Sequence, residues 1–219
     1  MNLSGVLSSD MITKPVLVFD FDGTISDSVA VMIDIITELA SKYGFKNIND
    51  IGLAEFRKMG TEKMIEVLEI PGGFLNKVME GIGQELSNKA DVIKPVEGMA
   101  GVLKTLKQRG YRLLIVTTNK KENVEKLINN YQMAYFDGIY PDAGLHGKSG
   151  SLLGLILDNG VAGSDVVYIG DETRDIEAGK ACGCKTMAVG WGLNGKEALE
   201  TKNPDWVVDK PTDMLEVFQ

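Results

Sequence analysis

Val16-Leu17-Val18-Phe19-Asp20-Phe21-Asp22-Gly23-Thr24 is a run of four apolar residues leading straight into two aspartates. A continuous apolar run, as opposed to an alternating one, belongs to a strand buried on both faces, as in the middle of a parallel sheet. Asp20 and Asp22 stand two apart, so an extended chain points both to one side. Two carboxylates on one side repel each other and are costly unless something compensates them.

Working outward, the same pattern recurs. Leu113-Leu114-Ile115-Val116 ends at Thr117, and Val166-Val167-Tyr168-Ile169 ends at Gly170 and Asp171. Shorter versions are Met187-Ala188-Val189 before Gly190 and Trp206-Val207-Val208 before Asp209. Helical stretches separate them, over 99–109 closed by Gly110 and over 152–159 closed by Gly160. Strand-then-helix repetition predicts an α/β fold with a doubly wound, Rossmann-like parallel sheet, whose ligands sit beyond the carboxyl ends of the strands.

Residues 29–94 break this rhythm. Val29, Met32, Ile33, Ile36, Leu39, Ala40 and Tyr43 share one helical face, and Gly44 is placed to end that helix. Further helices are predicted over 53–59, 61–69 and 74–87, with Pro71-Gly72-Gly73 as a break. A helical block between the first and second strands reads as an inserted cap domain at 29–94, leaving 1–28 and 95–219 as the core domain.

Composition narrows the chemistry. The chain has 219 residues, 44% hydrophobic and 25% charged, which is ordinary globular composition. Twenty-three Lys and Arg against 31 Asp and Glu give a formal charge of −8, which argues against a nucleic-acid or anionic-membrane partner. One histidine, His146, and two cysteines, Cys182 and Cys184, exclude a His-rich zinc site and a disulfide scaffold. His146 is assigned no role. With no basic leader and no apolar run of ~20 residues, the expected compartment is the cytoplasm. Catalysis must come from carboxylates, hydroxyls and lysines.

A second acidic pair stands in Gly170-Asp171-Glu172-Thr173-Arg174-Asp175, with Asp171 and Asp175 four apart at the start of a helix. If the strands ending at Asp20 and Asp171 are neighbours, at least three carboxylates converge. Oxygen-only ligands with room for water and phosphate suit Mg²⁺. Taken singly, each pair also fits a helix N-cap or an Asp-Gly turn.

These residues resemble the haloacid dehalogenase-like (HAD) hydrolase superfamily, in its phosphoglycolate phosphatase-like branch with a helical cap. Asp20 to Thr24 match the Asp-x-Asp-Gly-Thr motif, and Thr117, with Thr118 beside it, matches the Thr or Ser closing the next core strand. Lys148 fits the lysine motif, with Lys120 and Lys121 as alternatives, and Gly170-Asp171 through Asp175 fits Gly-Asp-x-x-x-Asp. The resemblance implies the HAD fold and a Mg²⁺-dependent phosphatase acting on a small phosphomonoester through an aspartyl-phosphate. It makes Asp20 the nucleophile and Asp22 the general acid and base. Mg²⁺ would be held by Asp20, the backbone carbonyl of Asp22, Asp171 and Asp175. Thr117 and Lys148 would hold the phosphoryl group, and Gly23, Thr118 and Asn119 would complete its cradle. Arg57 and Lys63 lie where relatives place specificity residues, although solvated helix charges are the better explanation for them. A phosphomutase on the same scaffold and a non-catalytic binding protein are the alternatives; the expected assembly is a monomer or homodimer.

Overall fold

The computed structural model describes residues 14–141 and 147–219, so His146 lies outside the described residues. Among those residues six strands form one wholly parallel sheet: β1 (Val16–Phe19), β2 (Arg112–Thr117), β3 (Gly138–Pro141), β4 (Val166–Gly170), β5 (Lys185–Val189) and β6 (Trp206–Val208). Their order is β3-β2-β1-β4-β5-β6. β1 thus lies between β2 and β4, where the winding reverses, and its register pairs Phe19 with Ile115 on one side and Ile169 on the other. Asp20, Thr117 and Asp171 follow from this register: each sits at the carboxyl end of one of three adjacent strands.

Five of the strands are the five apolar runs. β3 was not anticipated, because Gly-Ile-Tyr-Pro is a short, half-buried edge segment without a continuous apolar run. It adds parallel to β2, with Leu114 opposite Gly138.

The pleat sorts the strand side chains into two rows. Leu17, Phe19, Leu113 and Ile115 face Leu103 and Leu106 of the helix Met99–Gln108 and Val124 of the helix Lys121–Asn130. Val18, Leu114, Val116 and Tyr168 face Leu152 and Leu155 of the helix Gly147–Asp158 and Ala178 of the helix Thr173–Ala181. Each fully buried aliphatic or aromatic side chain contributes roughly 1.5–3 kcal/mol. These rows hold the strand ends rigid enough to present a costly set of carboxylates.

Helices, in chain order, are α1 (Val29–Tyr43), α2 (Ile48–Ile51), α3 (Leu53–Arg57), α4 (Thr61–Val67), α5 (Leu75–Asn88), α6 (Met99–Gln108), α7 (Lys121–Asn130), α8 (Gly147–Asp158), α9 (Thr173–Ala181), α10 (Lys196–Glu200) and α11 (Met214–Val217). The first five lie between β1 and β2 and include no strand. α1 ends at Gly44, whose φ of 72° is the left-handed cap that glycine adopts without penalty. α5 packs on α1 at Gly81, where an added Cβ would come within 3.3 Å of Leu39. Tyr43 and Phe74 close the same interface, with ring centroids 5.7 Å apart.

The chain enters and leaves this block through two segments that pair with each other. Ser26 and Pro95 form an antiparallel bridge, flanked by Asp27 N donating to Lys94 O (2.8 Å) and Val96 N donating to Ile25 O (2.9 Å). No helix among the described residues is long and apolar enough to cross a membrane.

Candidate active site

Where β1 ends, the Asp20 carboxylate is buried and its Oδ2 accepts a hydrogen bond from Lys148 Nζ at 2.8 Å. The same ammonium donates to Asp175 Oδ1 at 2.5 Å. Lys148 is the second residue of α8, which packs across β2 and β4 and so aims its side chain under the strand ends. Lys120 and Lys121 are exposed instead, and Lys121 faces Glu125.

At the end of β4, Asp171 is held from three sides. Thr24 Oγ1 donates to its Oδ1 at 2.8 Å and Leu193 N donates to its Oδ2 at 2.7 Å. Two glycines close around it: a Cβ on Gly23 would fall 2.3 Å from Asp171 Oδ2, and one on Gly192 would fall 2.0 Å from Asp171 Cβ. Gly23 also has φ +79°, a conformation that glycine alone adopts freely. Asp175, in the first turn of α9, accepts from Glu172 N (2.9 Å) and from Tyr168 Oη (3.2 Å).

Carboxylate oxygens of Asp20, Asp171 and Asp175 lie within 4.8 Å of one another, all buried. With Glu172, four buried carboxylates face the two cations Lys148 and Arg174. Burial pushes the Asp20 carboxyl up to about 7, against the lowering effect of Lys148. Burial, with the charge of Asp20 beside it, pushes Asp171 well above the usual carboxylate range. Burial alone would depress Lys148, but the charges of Asp175 and Asp20 outweigh it and hold the ammonium above the ordinary lysine range. Buried oxygens carrying excess negative charge fit a hard divalent cation. Asp22's carboxylate stands outside this triad.

Asp22, in the turn after β1, lines the same cavity as Asp20. Its Oδ1 accepts from Ser26 Oγ (3.2 Å) and its Oδ2 from Asn119 Nδ2 (2.9 Å). Burial raises its carboxyl above the usual range, while Asn119 and Ser26 oppose the shift. A buried carboxyl whose proton affinity is raised by desolvation is of the kind that can pass a proton to and from a neighbouring oxygen.

The remaining sequence candidates divide. Thr117 is buried at the end of β2, where its Oγ1 accepts from Asn119 N at 2.9 Å. Thr118 and Asn119 line the cavity above the aspartates, but the Asn119 amide nitrogen is engaged with Asp22, so this residue positions the carboxylate. The Gly23 amide is also engaged, with Ser26 O and Ser28 Oγ, so Gly23 packs against Asp171 and offers no free donor. Arg57 and Lys63 are not brought to the cavity wall. Arg57 donates to Gly192 O at 2.7 Å, and Lys63 pairs with Glu66 on the exposed side of α4.

Sequence spacing missed the contacts between the helical block and the core. Thr173 Oγ1 accepts from Thr61 N (2.9 Å), and Thr61 Oγ1 reaches Glu172 Oε2 (3.0 Å). Asn194, fully buried, donates to Met59 O (3.0 Å) and accepts from Thr173 N (2.8 Å). Only folding brings these residues together. A cavity of about 570 Å³ lies between α1, α3, α4 and α5 and the strand ends, with Asp20, Asp22, Thr118 and Asn119 at its floor.

Comparison with known proteins places this arrangement. The sequence profile described as haloacid dehalogenase-like hydrolase matches residues 17–189. A phosphoglycolate phosphatase from Synechococcus elongatus is 26% identical over 201 residues, 91% of this chain and 95% of that protein. The pyrophosphatase PpaX of Halalkalibacterium halodurans is 24% identical over 220 residues, 92% of this chain and 95% of that one. Among solved structures, a haloacid dehalogenase-like family hydrolase from Streptococcus pneumoniae superposes with a TM-score of 0.73 at 20% identity, covering 95% of this chain and all (100%) of that one. That last likeness is one of fold.

Proposed function

This chain belongs to the haloacid dehalogenase-like hydrolase family, and on that premise we propose that it hydrolyses phosphate monoesters through an aspartyl-phosphate on Asp20. The observation that carries the reading is the Asp20 carboxylate, held by Lys148 within a buried triad with Asp171 and Asp175, with Asp22 lining the same cavity.

Asp20 attacks phosphorus and the P–O bond to the alcohol breaks. Asp22 gives its proton to the departing oxygen, then takes one from the water that attacks the phosphorylated Asp20. Inorganic phosphate leaves and the Asp20 carboxylate is restored. Lys148 keeps Asp20 oriented and neutralises charge on the transferring group, with Thr117 beside it. Mg²⁺, held by Asp20, the Asp22 carbonyl and Asp171, would supply Lewis-acid stabilisation of the phosphoryl oxygens. Asp175 would hold it directly or through water while its oxygens accept from Lys148 and from Glu172 N.

Residues 29–94 act in this reading as a cap over a core of 1–28 and 95–219. The paired crossings at Ser26 and Pro95 give two adjacent pivots, and the Thr61–Asn194 contacts hold the closed form. Closure excludes water that would compete with the leaving group. Free thiols at Cys182 and Cys184 suit the cytoplasm.

The test is phosphate release from simple monoesters with and without Mg²⁺, beside Asp20→Asn. Metal-dependent release abolished by Asp20→Asn supports the reading. Equal turnover by Asp20→Asn overturns the nucleophile, and transfer of the phosphoryl group only to a second hydroxyl overturns hydrolysis.

A further inference from the structure

The walls of the cavity above Asp20 are apolar. Met32 and Ile36 of α1, Phe56 of α3, Met64 of α4 and Leu75 and Met79 of α5 line it. Leu75 and Met79 stand one turn apart on α5 and remain 38% and 44% exposed, so the apolar lining continues to the mouth.

No described cation of the helical block lines this cavity. Arg57 is tied to the Gly192 carbonyl, Lys58 pairs with Glu55 at 2.8 Å, and Lys63 pairs with Glu66 at 2.7 Å. Among the described lining residues the one cation is Arg174, at the floor, and it is paired with the buried Glu172 at 2.5 Å. Glu80 adds a negative charge at the exposed rim.

A second anionic group on the substrate would therefore meet apolar walls and an acid; the one guanidinium keeps a buried Nε without a hydrogen-bond partner, but its charge is already balanced by Glu172. That weighs against a carboxylate, as in phosphoglycolate, and against a second phosphate, as in pyrophosphate. The volume also far exceeds what a two-carbon acid fills and is of the size that accepts drug-sized molecules.

We propose that the natural substrate is a phosphate monoester of an uncharged, apolar alcohol, whose hydrocarbon part occupies this cavity. The inference rests on the phosphomonoesterase reading above. The P–O bond to the hydrocarbon's oxygen breaks, that oxygen leaves as the alcohol with the proton from Asp22, and water supplies the oxygen that ends on phosphate.

The experiment compares kcat/KM for ethyl, butyl and hexyl phosphate, 2-phosphoglycolate and pyrophosphate, using the full chain with Mg²⁺. Burying a methylene predicts up to about a fourfold gain for each one added. Hexyl phosphate should exceed both ethyl phosphate and phosphoglycolate at least ~10-fold. The double variant Leu75→Lys/Met79→Lys, changed at exposed positions, should lower the ratio of hexyl phosphate to phosphoglycolate at least ~10-fold. A flat alkyl series, a preference for phosphoglycolate or pyrophosphate, or an unchanged ratio in the double variant overturns the inference and leaves the phosphomonoesterase reading intact. Release from none of the esters, ethyl phosphate included, overturns that reading and this inference with it.

Discussion

Lys148 Nζ lies 2.8 Å from Asp20 Oδ2, and each side chain keeps only 5% of its surface exposed. The residues are 128 positions apart, so this contact exists only because α8 and β1 meet across the sheet. It is also the contact that lets a carboxylate cluster persist inside the protein, since a buried charge without its partner is strongly destabilising.

Lys148→Ala should accordingly lower the stability of the metal-free protein at pH 7.5 by about 3–5 kcal/mol. At pH 5 the loss should be smaller, because Asp20 can then hold a proton in place of the ammonium. Urea unfolding with EDTA at the two pH values measures both.

Metal-free protein should lose stability as pH rises from about 4 to about 7. Asp20 titrates near 3.8 when unfolded and at about 7 when folded. Between those values the folded chain binds the extra proton, so the slope is negative, up to about 1.4 kcal/mol per pH unit. A divalent cation that displaces this proton should remove the decline. Thermal unfolding with EDTA and with Mg²⁺ at pH 5 and 7.5 checks it; stabilisation by Mg²⁺ should be larger at pH 7.5.

Gly192→Ala should displace Asp171, because the new Cβ falls 2.0 Å from Asp171 Cβ and 2.3 Å from its Oδ2. We expect a stability loss of about 1–3 kcal/mol and at least a ~10-fold fall in Mg²⁺ affinity. Calorimetric titration of the metal reads the second quantity. Unchanged affinity would remove Asp171 from the metal site.

Asn119→Ala deletes a hydrogen bond that lowers the Asp22 carboxyl. The acid limb of the kcat–pH profile should move upward, since Asp22 must lose its proton to act as base and loses a hydrogen bond that favours its charged form. Steady-state rates between pH 4.5 and 8 measure the shift.

Much of this protein was readable before any fold was known. Apolar runs each ending on a polar residue located β1, β2, β4, β5 and β6, because strands buried on both faces must be apolar throughout. The helical face from Val29 to Tyr43 appeared as α1 with Gly44 as its end. β3 escaped because a half-buried edge strand lacks that pattern, and α2, at four residues, is too short to show a helical period. At the site, Asp20, Asp22, Asp171 and Asp175 were legible from spacing within two short segments. Arg57 and Lys63 were legible only as charges. Which way they turn depends on partners at Gly192 and Glu66.

By itself the sequence determined which residues can do chemistry, because local spacing and strand ends are properties of contiguous chain. It also narrowed the candidates to carboxylates, hydroxyls and lysines, since the chain has one histidine and two cysteines. Tertiary structure decided which of them meet: the order β2-β1-β4 sets Asp20 beside Asp171, and α8 delivers Lys148 between them. It alone decided the character of the cavity, since walls drawn from α1, α3, α4 and α5 become one apolar surface only when those helices pack. Long-range contacts carry no signature in local spacing; burial and charge pairing select them when the chain closes.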